Sequence, residues 1–224
     1  MDWEPIKPLI AQVEITAKPG NQPVDVQTIP DGLEVMGTGS DAVVVRHASL
    51  PTIVFKVFTE ERISACKEEY DVYQRLGKSF YFPTCYGMDD RFLVMSYESG
   101  LTLYDCLIQG VVIPENIIEE VTEARRYVRS VDLNPRDMHL KNVLLQDGHA
   151  KIIDVSEYNK PGDDGRWEHL VQGYEMFYPF LEGRRVPVWL IERVKRAYMD
   201  QVDGEFSLAD FGRSFLQFFS SGKR

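Results

Sequence analysis

The chain has little of what marks a metal, redox or nucleic-acid-binding protein. Its three cysteines, Cys66, Cys85 and Cys106, form no close pair and no Cys-x2-Cys spacing, so reduced thiols in a cytoplasmic protein are expected. The four histidines, at 47, 139, 149 and 169, are too scattered to nominate a zinc site. Basic residues are in deficit. The 25 Lys and Arg against 35 Asp and Glu leave a net charge of −10, which argues against nucleic acid as a partner and is compatible with a basic protein or a cationic small molecule. No apolar run reaches the roughly 18 residues that a membrane span needs, and the start, Met1-Asp2-Trp3-Glu4, has no leader pattern, so no membrane partner is expected.

What is present centres on Asn134-Pro135-Arg136-Asp137-Met138-His139-Leu140-Lys141-Asn142-Val143-Leu144-Leu145, with Asp154 twelve residues after Asn142. Asp137 and Asn142 stand five apart on a Pro-led polar loop. The apolar runs Val143 to Leu145 and Ala150 to Ile153 have strand length and flank Gln-Asp-Gly-His, a hairpin signal that would return Asp154 beside Asn142. Phosphoryl transfer needs oxygens to hold Mg²⁺ on a triphosphate and a carboxylate to orient the attacking hydroxyl, and this spacing supplies all three groups. Asp and Asn are also common in turns, so a plain solvated loop is the competing explanation.

Upstream, Leu33 to Val45 reads as strand, turn and strand around Gly37-Thr38-Gly39-Ser40-Asp41, a pattern shared with ordinary hairpins. Thr52 to Phe58 is a β-branched and aromatic run with Lys56 in its middle. A lysine in a buried strand is costly to desolvate unless it meets an anion; on an edge strand it would reach outward to water. Glu60 to Leu76 places apolar residues at 63, 66, 70, 73 and 76, the spacing of a one-faced helix. Phe92 to Gly100 is a further strand entering a Gly turn.

In this order the pieces, over roughly residues 30 to 160, resemble the protein kinase-like superfamily. The Asn-Pro-Arg-Asp-Met-His-Leu-Lys-Asn-Val-Leu-Leu stretch is similar to that of the small serine/threonine protein kinases ascribed to Bacillus-type bacteria. The resemblance implies ATP and Mg²⁺ as cofactors, with Asp137 orienting the acceptor hydroxyl and Asn142 and Asp154 holding the metal. It further implies Lys56 on the α- and β-phosphates, fixed by Glu69 in preference to Glu68. Gly37, Thr38, Gly39, Ser40 and Asp41 would lie over the phosphates, with Val44, Met95 and Tyr97 near the adenine. Backbone groups of Ser96 to Glu98 would bond the adenine, and the nucleotide would lie in a cleft. Departures are visible: Ala42 stands at the third Gly of the phosphate loop, Pro135 at the usual His, and His139 at the usual Lys two residues after Asp137. Asp154-Val155-Ser156 replaces Asp-Phe-Gly, and no Ala-Pro-Glu follows. Constitutive activity is therefore expected. Beside a protein substrate, a small alcohol acceptor, nucleotidyl transfer or a nucleotide-binding pseudoenzyme stays open.

Asp163-Asp164-Gly165 before Arg166-Trp167 reads first as a helix cap; the resemblance offers a second role for Asp164, bracing the catalytic loop. Val186 to Tyr198 and Phe206 to Phe219 read as amphipathic helices, with Trp189, Val194, Tyr198, Phe211, Phe215 and Phe218 packing inward. Ile10 to Ala17 and Val24 to Ile29 read as two strands around Lys18-Pro19-Gly20-Asn21, either a hairpin added to the following sheet or a flexible arm. The expected fold is α+β, a bilobal protein kinase-like architecture. It comprises an N-terminal extension over 1–30, an antiparallel N-lobe sheet with one helix over 31–98, and a shortened, mainly helical C-lobe over 99–224.

Overall fold

The computed structural model describes residues 3–20 and 22–200. The expected helix at Phe206 to Phe219, with Phe211, Phe215 and Phe218, and the turn residue Asn21 lie outside the described residues. The chain is α+β with antiparallel sheets and divides into two units. The first holds the described residues up to Ser99 with Val121–Arg136 and Lys151–Asp163; the second holds Gly100–Glu120, Asp137–Ala150 and the described residues from Asp164 onward. Among the described residues no helix is long and apolar enough to cross a membrane.

The first unit opens with a 3-10 turn, Glu4–Ile6, and a short helix α1, Lys7–Ile10, followed by an antiparallel pair, β1 (Glu14–Thr16) and β2 (Asp25–Thr28). Next come β3 (Leu33–Thr38), β4 (Ala42–His47) and β5 (Ile53–Phe58), then helix α2 (Ile63–Leu76), β6 (Cys85–Asp89) and β7 (Phe92–Ser96). These five strands form one sheet in the order β3-β4-β5-β7-β6, antiparallel throughout. The N-terminal pair does not extend that sheet. Ile10 of α1 and Val13, Ile15 and Val24 of the hairpin bury instead against Val43, Val45, Ile53, Phe55, Val57, Phe92 and Val94. Alternation puts the hairpin's apolar side chains on one side, and face-to-face packing removes both surfaces from water where edge pairing would leave them wet. Each fully buried Val, Ile or Phe there contributes about 1.5–3 kcal/mol relative to exposure.

Helix α2 buries Cys66, Glu69, Val72, Tyr73 and Leu76, a three-to-four spacing, and stops at Gly77, whose φ of +58° suits a residue without Cβ. The expected first turn at Glu60 is a separate 3-10 turn, Glu60–Arg62. From α2, the Arg75 guanidinium donates to the carbonyls of Val131 at 2.9 Å and Asp132 at 2.5 Å, which steadies the chain just before the polar loop.

The second unit contains β8 (Leu101–Thr102) and α3 (Leu103–Gln109), capped by the Thr102 hydroxyl, which accepts from the Asp105 N–H at 3.0 Å. Helix α4 (Glu115–Ser130) follows, its residues to Glu120 counted in the second unit and those from Val121 in the first, with Ile117, Val121, Ala124 and Val128 fully buried on one stripe. Then come β9 (Val143–Gln146) and β10 (His149–Ile152), and β8, β9 and β10 form a sheet in the order β10-β9-β8. The two-residue turn between β9 and β10 has Asp147 at φ +50° and Gly148 at φ +83°, the left-handed pair that a tight hairpin requires.

Helices α5 (Arg166–Leu181) and α6 (Val188–Asp200) complete the described residues, with Phe177, Val186 and Leu190 sharing an apolar cluster. Trp189, expected to pack inward, is 50% exposed. Leu190 takes the inward position, and neighbouring residues on a helix point about 100° apart, so Trp189 turns to the outside.

Candidate active site

In the first unit, register decides which residues share a face. Gly37 pairs with Val44, Val44 with Lys56, Lys56 with Leu93, and Val54 with Met95. Directly opposed residues project to the same side, so Val44, Val54, Lys56, Leu93 and Met95 lie on the face opposite to that covered by the N-terminal hairpin. β5 lies between β4 and β7, which rules out an edge-strand lysine. Both carboxylate oxygens of Glu69 accept from Lys56 Nζ at 2.7 Å, and an Asp154 oxygen stands 3.7 Å from the same nitrogen. Glu68 is exposed on α2, with its carbonyl accepting from Asn159 at 3.2 Å.

Burial opposes the charge on Lys56, but the Asp154 and Glu69 carboxylates outweigh it and hold the ammonium above its ordinary value. Burial pushes the Glu69 carboxyl up to about 7, against the pull of Lys56 and with the help of Asp154. Asp154 Oδ1 also accepts the Ser156 N–H at 3.0 Å, which sets the direction of its carboxylate.

Neither glycine of the turn is demanded by the protein's own packing. A Cβ on Gly37 would meet nothing within 4 Å, and one on Gly39 would meet only the Ala42 carbonyl at 3.7 Å. The turn is held by Gly39, whose N–H donates to Ala42 and whose carbonyl accepts from Val24, both at 2.8 Å. Asp41 turns to Arg62, 3.2 Å away, and Thr38 and Ser40 flank the turn as exposed and half-buried residues. Met95 is buried, whereas the Tyr97 ring lies under the Arg46 guanidinium at 4.6 Å. The Ser96 and Tyr97 N–H groups donate to Thr84 and Thr52 at 2.9 Å, which removes two of the three donors expected for an adenine and leaves that of Glu98.

In the second unit, the chain passes through Asp137 with φ +54°, a left-handed conformation that Asp tolerates better than most side chains. It is held there from two sides. Asp164 Oδ2 accepts the Asp137 N–H at 2.8 Å, and Asn142 Nδ2 donates to the Asp137 carbonyl at 3.1 Å. Asp164 Oδ1 also accepts from the Arg166 N–H at 3.2 Å, so Asp164 braces the loop and satisfies the first N–H of α5, while Gly165 and not Asp164 is the N-cap. With Nδ2 the donor to the Asp137 carbonyl, Oδ1 is the remaining polar atom of the Asn142 side chain.

The Asp137 carboxylate meets Arg166, whose Nη1 donates to Oδ1, and His139 Nε2 lies 3.8 Å from Oδ2. Lys141 points elsewhere, its Nζ 4.4 Å from the centre of the Tyr104 ring. Arg166 was not among the sequence candidates. One signal was available: a cation in the first turn of a helix opposes the helix dipole and needs another reason to be there.

The order of these elements and the placement of their charged residues resemble the protein kinase-like superfamily. No family model matches the chain. It is 33% identical over 127 residues to the "Putative serine/threonine-protein kinase YrzF" of Bacillus subtilis (strain 168), over 56% of this chain and 59% of that protein. A crystal structure of Rad53 1-466 in complex with AMP-PNP matches with a TM-score of 0.47 and 21% identity, over 58% of this chain and 38% of that one.

Proposed function

We propose that this chain is an ATP-dependent phosphotransferase of the cytoplasm that moves the γ-phosphoryl group of ATP to the hydroxyl of a serine or threonine in a protein substrate. The observation that carries this reading is Lys56, held by Glu69 and near Asp154 in the middle of a central strand. A buried ion pair rarely stabilises a fold more than a well-packed apolar pair would, so its worth lies in presenting a fixed cation to an anion. The open space at Gly37, on the same face, suits the close approach of phosphate oxygens. The serine/threonine acceptor rests on the name of the Bacillus relative.

In this reading Lys56 grips the α- and β-phosphates, Glu69 fixes Lys56, and the turn from Gly37 to Asp41 covers the phosphates. Val44 and Met95 border the adenine, together with the backbone at Glu98, since the Tyr97 N–H is taken by Thr52. The Asp154 carboxylate and Asn142 Oδ1 are hard oxygen donors of the kind that hold Mg²⁺, which would neutralise charge on the phosphates. Asp137 orients the acceptor hydroxyl. As its oxygen bonds to the γ-phosphorus, the bond from phosphorus to the β–γ bridging oxygen breaks, ADP leaves with that electron pair, and the hydroxyl proton passes to Asp137.

The test is the intact mass of the protein after incubation with Mg²⁺ and ATP, beside Asp137→Ala treated identically. A phosphoryl increment in the wild type alone supports the proposal. An AMP increment would instead mean nucleotidyl transfer. With no increment, a radiolabelled-ATP screen of proteins and small alcohols decides, and transfer to neither would refute the proposal.

A further inference from the structure

Arg166 is the feature of the second unit that the roles above leave without a task. Its Nη1 donates to Asp137 Oδ1 and its Nε lies 3.5 Å from Asp164 Oδ2, so the guanidinium is oriented by the two carboxylates that define the loop. It opens α5, where a cation is disfavoured by the helix dipole, and its side chain is 37% exposed. Among the described residues no hydrogen bond commits Nη2. A planar fork with one edge fixed and another edge available is the geometry that binds phosphate oxygens.

We infer that Arg166 is the cation that grips the transferred phosphoryl group, in place of the lysine that this chain lacks two residues after Asp137. The inference rests on the phosphotransferase reading. An acceptor hydroxyl within hydrogen-bond reach of Asp137 has its oxygen about 3 Å from the carboxylate, and the phosphorus it attacks lies about 3–3.5 Å further on. A guanidinium bonded to the same carboxylate is therefore within one side chain's swing of the phosphoryl oxygens. The three other cationic side chains of the loop are less well placed: Arg136 donates to the Pro161 carbonyl at 2.7 Å, Lys141 packs on Tyr104, and His139 carries its charge only when protonated. Protonation of Asp137 during transfer weakens its hold on Arg166 as negative charge grows on the departing ADP and the new phosphoester, so the guanidinium is released toward the charge it is to stabilise.

The test needs no acceptor. Binding of Mg-ADP is measured with and without aluminium fluoride, which mimics the phosphoryl group in transfer, for the wild type, Arg166→Ala and Arg166→Lys. The expected result is an affinity for the fluoride complex lowered by about tenfold or more in Arg166→Ala, with an intermediate loss in Arg166→Lys, while both bind Mg-ADP alone as the wild type does. Unchanged affinity for the fluoride complex, or an equal loss for both ligands, would overturn the inference. A wild type that binds Mg-ADP and responds to fluoride keeps the phosphotransferase reading alive whatever the variants do. A wild type that binds neither removes that reading, and the inference with it. Should Arg166→Ala fail to fold, Arg166→Lys decides, since it keeps the charge beside Asp137 and loses only the fork.

Discussion

Asp164 and Asp137 are 27 residues apart in sequence, and a carboxylate oxygen of the first accepts the backbone N–H of the second at 2.8 Å. The bond holds Asp137 in a left-handed conformation, and the same carboxylate receives the first N–H of α5. The start of α5 and the polar loop around Asp137 are thereby a single unit of structure.

Replacing Asp164 by Ala should release that loop. We expect a stability loss of about 1.5–3 kcal/mol, the usual worth of a hydrogen bond to a charged group. We also expect kcat for phosphoryl transfer to fall by about a hundredfold, because a displacement of about 1 Å at the reacting group has that effect. Asp164→Asn keeps one acceptor oxygen and should fall between. Denaturant melts and steady-state kinetics check both. Wild-type kcat in Asp164→Ala would show that the brace does not position Asp137.

Glu69 should make the stability of the first unit depend on pH near neutrality. Its carboxyl titrates at about 7 in the folded chain, against 4.5 ordinarily. A raised acid means that the folded state binds more protons than the unfolded state inside that window. The stabilisation is full below 4.5 and is lost as pH rises through 7, with a slope of at most about 1.4 kcal/mol per pH unit. Urea midpoints of the ligand-free protein should therefore decline from about pH 5 to about pH 7.5, and Glu69→Gln should flatten the decline. Parallel curves for the two proteins would assign the pH dependence to other groups.

The N-terminal hairpin should matter to phosphates more than to adenine. Val24 donates its N–H to the Gly39 carbonyl at 2.8 Å, a direct link from the hairpin to the turn proposed to cover the phosphates. Val24→Pro removes the donor and spares the side of the sheet that carries Met95. The expected outcome is ATP affinity weakened several-fold with adenosine affinity unchanged, read by calorimetry. Equal weakening of both would point to a general loss of fold.

Gly100 is expected to tolerate no side chain. It has φ +126°, and an added Cβ would stand 2.4 Å from the Leu145 carbonyl oxygen, which is backbone and cannot yield cheaply. Gly100→Ala should cost about 2–4 kcal/mol, measured as a shift of the denaturation midpoint. A near-neutral result would mean that β8 and β9 part readily at that point.

Local patterns carried much of this protein. A strand with one lysine, a helix with three-to-four spacing and a Pro-led polar loop could each be read because side-chain direction repeats every 2 or 3.6 residues whatever the rest of the chain does. The preference for Glu69 over Glu68 comes from the family resemblance and not from periodicity, and the structure buries Glu69 and exposes Glu68. Helix α4 was missed because its buried stripe of Ile117, Val121, Ala124 and Val128 is narrow and lies among charged residues.

By itself the sequence determined that Ile53–Phe58 is a strand, Ile63–Leu76 a helix and Val143–Ile152 a hairpin, because steric preference and alternation are properties of neighbours. Tertiary structure alone decided which surface the N-terminal hairpin covers, which way Trp189 faces, and that Arg166 and Asp164 meet Asp137. These outcomes join residues far apart in sequence. Their energies come from burial and pairing along the whole folded path, and no window of the sequence contains that path.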